Sequence, residues 1–134
     1  MFSRADDNGS GSTTLIETFN ALLLSGFVPK RTLELHWYAA EEVGLLGSQD
    51  IAEAHQANNV NVVAMANFDV TGYQIDKKTI GITTDYTTPE LTSFVRKIVE
   101  AYLAYSWTNR SCGYACSDHA SWYDLGYPAV FPVL

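Results

Sequence analysis

The sequence predicts an α/β fold: a mostly parallel sheet flanked by helices. Two observations carry this. Segments with the two-residue period of a strand alternate with segments of helical period, and carboxylates recur where an element hands over to a loop. No internal repeat and no linker breaks the chain, so residues 1–134 are read as a single domain. The chain is 47% hydrophobic and 13% aromatic, which places it among globular rather than disordered sequences. Its net charge of -7, with no run of Lys or Arg, argues against nucleic acid or an anionic membrane surface as partner. No apolar run has the length of a membrane span, and no signal peptide is visible.

In order, Leu15, Ile16, Phe19, Leu22 and Leu23 recur at helical spacing over Thr13 to Ser25. Ser10 or Ser12 is the expected cap, Gly26 the stop, and Pro29 blocks continuation. Leu33, Leu35 and Trp37 alternate with other residues and predict a half-buried strand over 32–39. Glu41 and Glu42 follow, with Gly44 and Gly47 positioned for a sharp turn before a helix over about 46–57. Asn58 and Asn59 turn the chain into Val60 to Phe68, a nearly continuous apolar run that reads as a buried parallel strand ending at Asp69. Thr79 to Thr84 is a further strand. Thr88 and Pro89 open a helix whose expected buried stripe is Leu91, Phe94, Val95, Ile98, Val99 and Leu103. A loop with Cys112 and Cys116 precedes a short helix near 118–125 and a last apolar strand, Ala129 to Leu134. Tyr102, Tyr105 and Trp107 are read as core or interface. Asn8 and Asn109 stand in glycosylation sequons, the first expected to stay unmodified.

Asp7, Glu41, Glu42 and Asp69 are the candidate functional residues. Parallel strands bring such junctions to one sheet edge, where ligands bind in open α/β sheets. Carboxylates gathered there repel each other and raise one another's pKa unless a cation sits between them. The alternative is a scatter of solvated acids. Cys112 and Cys116 either close a small disulfide loop in an oxidising compartment or remain two thiols in a reducing one.

Asp6–Gly11, Ala39–Ser48, Asn67–Asp69 and Cys112–Trp122 together resemble the motifs of peptidase family M28, in its branch of secreted bacterial and fungal leucine aminopeptidases. The resemblance spans nearly the whole chain. It implies a zinc-dependent aminopeptidase that removes apolar, leucine-type residues from the N-termini of peptides. Asp7 would bridge two zinc ions, Glu42 would bind one and Asp69 the other, and Glu41 would be the general base. Tyr114 matches a tyrosine that donates to the oxyanion. Val70, Ile82, Cys112, Cys116 and Phe131 match the lining of an apolar side-chain pocket. A Cys112–Cys116 disulfide and a secreted location are implied as well.

Family members also carry two histidine ligands, one upstream of the first motif and one downstream of the last strand. On the resemblance, this chain corresponds to the middle of the family's domain. His36 is read as a strand residue, His55 as solvent-facing, and His119 as near the site without being a ligand. An oxygen-only remainder favours hard cations such as calcium or magnesium over zinc. The alternative function is therefore a non-catalytic form of the fold serving binding or assembly. The apolar 129–134 strand, read as an exposed edge, further predicts self-association into a homo-oligomer through it or through the helix of residues 89–105.

Overall fold

The computed structural model describes residues 5–72 and 78–133. Among the described residues four α-helices and five strands form, in the order α1 (Gly9–Leu24), α2 (Leu46–Ala57), β1 (Met65–Ala66), β2 (Thr79–Thr83), α3 (Pro89–Tyr102), β3 (Ser106–Arg110), α4 (His119–Asp124), β4 (Ala129–Val130) and β5 (Pro132–Val133). Pairing is mostly parallel, as predicted. β1 runs parallel to β4 and β2 parallel to β3, while β2 and β5 pair antiparallel, with Gly81 opposite Val133 and Ile82 opposite Pro132.

Helix α1 begins earlier than its apolar period suggests, because Asn8 rather than Ser10 or Ser12 caps it. The Asn8 carboxamide oxygen accepts from Gly11 N–H at 2.9 Å. Ser10 is used elsewhere: its hydroxyl donates to the Asp6 carbonyl and accepts from Thr71 N–H. The apolar stripe of α1 is not core. Ile16, Phe19 and Leu23 are exposed, and no described element covers them.

Three strand expectations are corrected. Residues 32–39 form no ladder among the described residues, since alternation predicts a buried face but a strand also needs a hydrogen-bonded neighbour. The inward face is also the opposite one: His36 and Tyr38 point inward, while Leu33 and Trp37 are exposed. Trp122 Nε1–H donates to the Tyr38 hydroxyl at 3.0 Å, and that bond fixes the face. Of Val60 to Phe68, only Met65 and Ala66 pair, and Val60 and Val63 are exposed. The last apolar run divides at Phe131. Ala129–Val130 joins β1 and Pro132–Val133 joins β2, while the Phe131 carbonyl accepts from Thr83 N–H. Ala129, Val130, Phe131 and Val133 are buried, so this run is not the exposed edge that the sequence suggested; Leu134 lies outside the described residues.

Strand β3 carries no apolar alternation, and the sequence did not point to it. It forms because every one of its residues finds a parallel partner on β2. Trp107 packs with Val95 against Ile80, Ile82 and Val99, and its indole N–H reaches Glu100, whereas Tyr102 is exposed. In α3 only part of the expected stripe is covered: Val99 is buried, while Phe94, Ile98 and Leu103 are exposed. Pro89 takes the first position as expected, but the Thr88 hydroxyl does not cap the helix. It accepts instead from Ala129 N–H, tying α3 to β4. A second core cluster of Ala52, Trp122 and Ala129 joins α2, α4 and β4.

Candidate active site

The two glutamates sit on a single 3₁₀ turn, Glu41–Val43, between the 32–40 segment and α2. Its flanks adopt backbone angles that side chains disfavour: Ala40 has φ 61°, Gly44 113° and Leu45 59°. Each non-glycine residue held there costs on the order of 1–3 kcal/mol, so the surroundings must impose the turn. They do so through Leu45 N–H to the Glu41 carbonyl at 2.9 Å and Gly47 N–H to the Ala39 carbonyl at 3.0 Å. A side chain at Gly47 would collide with the Ala39 backbone, which is why this position takes glycine.

Asp7 directly precedes the α1 cap, and Asp69 directly follows Phe68. The Asn8 side-chain amide donates to the Phe68 carbonyl at 2.9 Å and so fastens these two junctions together. Asp69 is buried. Its Oδ2 accepts from the Ser117 hydroxyl at 2.7 Å, and Ser117 Oγ in turn accepts from Asn67 Nδ2 at 2.8 Å. Asp69 Oδ1 is buried with no partner.

Asp7, Glu41, Glu42 and Asp69 line one open cleft of about 1100 Å³. Burial, reinforced by the charges of Asp69, Asp118, Glu42 and Asp7, raises the Glu41 carboxyl to about 7. Asp69 is pushed up by burial, with the Ser117 hydrogen bond opposing and the Asp7 charge adding. Asp118 borders the same cleft and is raised by burial, offset in part by Ser48; its Oδ1 is also buried and unpartnered. The sequence reading missed Asp118 as a member of the cluster. Its only signal was its place beside His119 in the last motif.

Asp69 and Asp118 each leave a buried carboxylate oxygen without a donor beside further carboxylates, a crowding that a hard cation would relieve. Asp7 and Glu42 are exposed, and with Asp69 they do not bring three ligand atoms within 4.8 Å of one another.

The predicted apolar wall lies elsewhere than on this cleft. Ile82 is fully buried between β2 and α3, and Phe131 is buried with its ring 4.8 Å from that of His119. Val70 follows Asp69 and is partly buried. Tyr114 is exposed in the loop closed by the Cys112–Cys116 disulfide. Asp85 holds that loop through the Ser111 hydroxyl and Gly113 N–H. His119 is fully buried and reaches the Asp85 carbonyl at 3.2 Å.

His55 departs from expectation. It does not face solvent but packs its ring 5.1 Å from Trp122 and lies 3.1 Å from Glu34, beside His36.

Residues 4–132 match peptidase family M28. The chain is 47% identical over 131 residues to a probable leucine aminopeptidase of Arthroderma benhamiae, covering 95% of this chain and 36% of that protein. It is 44% identical over 140 residues to leucine aminopeptidase 1 of Fusarium vanettenii, with 96% and 36% covered. Among solved structures it superposes on the Legionella pneumophila LapA aminopeptidase with a TM-score of 0.92 at 40% identity, covering 97% of this chain and 36% of that one. The chain thus spans about a third of the length of these relatives. The shared fold, the motif-bearing junctions and the profile match lead to one assignment: the chain belongs to peptidase family M28.

Proposed function

We propose that this chain carries the carboxylate half of a zinc-dependent aminopeptidase site that removes apolar, leucine-type residues from peptide N-termini. The observation that carries the reading is the convergence of Asp7, Glu41, Glu42 and Asp69 on one cleft, with Asp69 Oδ1 buried and unpartnered. The names of the relatives support the substrate class.

In this reading Asp7, Glu42 and Asp69 would hold the metal ions. Ions bound there lower the pKa of water and polarise a carbonyl. The rest falls to the chain's own groups. Ser117 fixes the rotamer of Asp69 by donating to Oδ2, which leaves Oδ1 free as a ligand atom. The strained turn holds Glu41 and Glu42 as neighbours, so that one can ligate while the other moves protons. Glu41 takes a proton from the attacking water and returns it to the leaving amine. Tyr114 donates to the developing oxyanion. The disulfide suits an oxidising, extracellular setting.

The test is turnover of leucine anilide by zinc-loaded protein, compared with glutamyl and lysyl anilides. Preferential turnover of the leucine substrate, abolished by chelation, supports the proposal. Zinc uptake without turnover of any anilide points to the non-catalytic form of the fold.

A further inference from the structure

Outside the carboxylate cluster, Glu34, His36 and His55 bring three ligand atoms within 4.8 Å of one another. Glu34 Oε2 lies 2.9 Å from His36 Nε2 and 3.1 Å from His55 Nε2. The other nitrogen of each ring is already engaged. His55 Nδ1 lies 2.9 Å from the Ile51 carbonyl, which can only accept, so Nδ1 carries a proton and Nε2 is the nitrogen left to face Glu34. His36 Nδ1 lies 2.8 Å from the Tyr38 hydroxyl, itself held by Trp122. A ring nitrogen 3.1 Å from a carboxylate oxygen has something positive between them, a proton or a metal ion.

We propose that Glu34, His36 and His55 form a site for one transition-metal cation of the zinc class, which fastens the segment leading to Glu41 onto α2. Two imidazoles and a carboxylate are the donors that zinc accepts, and bonds of about 2.0–2.1 Å place tetrahedral ligand atoms roughly 3.3 Å apart. Two of the three edges are already near that length. The hydrogen bonds to Ile51 and Tyr38 orient the rings as outer partners do in metal sites. His36 and His55 keep Glu34 ionised by hydrogen bonding to it. Glu34 is about half exposed, leaving the fourth position to water. Binding releases whatever proton the pair shares, so uptake of the ion is coupled to proton release.

The full chain, stripped with a chelator, is titrated with Zn²⁺ by calorimetry and with Co²⁺ by visible absorption. A Glu42→Gln/Asp69→Asn background silences the carboxylate cluster. One equivalent of zinc, a tetrahedral cobalt spectrum and a change in Trp122 fluorescence are expected. His55→Gln and Glu34→Gln each weaken binding by more than about 100-fold, the upper end of what losing only an outer partner costs. Absence of zinc binding in that background, or binding untouched by both substitutions, overturns the proposal. If the background fails to fold, the same comparison is made in the unsubstituted chain, where His55→Gln must remove one equivalent and equal stoichiometry refutes the site.

Discussion

Asn8 and Phe68, sixty positions apart in sequence, are joined by a 2.9 Å hydrogen bond from the Asn8 side-chain amide to the Phe68 carbonyl. The same carboxamide caps α1 through its oxygen, so one side chain sets both the start of the helix and the spacing of Asp7 from Asp69.

Asn8→Ala removes cap and tether together. Loss of an N-cap costs about 0.5–2 kcal/mol, and the tether adds to that. Urea unfolding should show a drop near or above 2 kcal/mol, with weaker metal binding by calorimetry. A variant with unchanged metal affinity would show that the tether does not set the site.

Ser117→Ala leaves Asp69 Oδ2 and the Asn67 amide without their shared partner in a buried place. Stranding buried polar groups costs about 1–3 kcal/mol each. Stability should fall by roughly that amount in metal-free protein. Divalent metal should bind about 10–100-fold more weakly than in the parent by calorimetry, because Asp69 loses the partner that orients it.

Glu41→Gln tests the division of labour on the turn. It should abolish anilide hydrolysis while leaving folding and metal content intact, since Glu41 is assigned to proton transfer and Glu42 to ligation. Loss of metal in the Glu41 variant, read by atomic emission, would mean that the two roles are exchanged.

His119 predicts an acid sensitivity. Burial pushes its pKa below the ordinary 6.5, with the Asp85 carbonyl opposing. The unfolded chain therefore binds the proton more readily than the folded one. This contribution is fully present above the unfolded pKa and is lost as pH falls from about 6.5 toward the lower folded value. His119→Gln should flatten that part of the stability–pH curve relative to the parent. An unchanged slope between pH 6.5 and 5 would rule this assignment out.

The Cys112–Cys116 bond closes a short loop, so its stabilisation in the chain-entropy view is about 2 kcal/mol. Thiol titration of native, unreduced protein should find no free cysteine. Cys116→Ser should lower the melting temperature and loosen the loop that carries Tyr114.

That four acidic junction residues share one cleft was legible in the sequence, whereas the predicted apolar wall was not found on it. The carboxylates Asp7, Glu41, Glu42 and Asp69 stand at element boundaries, and contacts such as Asn8 to Phe68 gather these boundaries on one side. Helices α2, α3 and α4 were legible because their stops and starts, such as Pro89 and Asn58, act through local backbone physics. Tertiary structure alone decided the rest. Alternation in 32–39 told of two faces but not which is inward; the Trp122–Tyr38 bond decided that. Strand β3 has no apolar period, because its order comes from backbone pairing with β2 rather than from a buried face. Glu34 and His36 stand two apart, but no spacing in the sequence links His55 to them. They meet only because an extended segment lies along α2, and contacts of that kind depend on where elements pack, which the order of residues does not state.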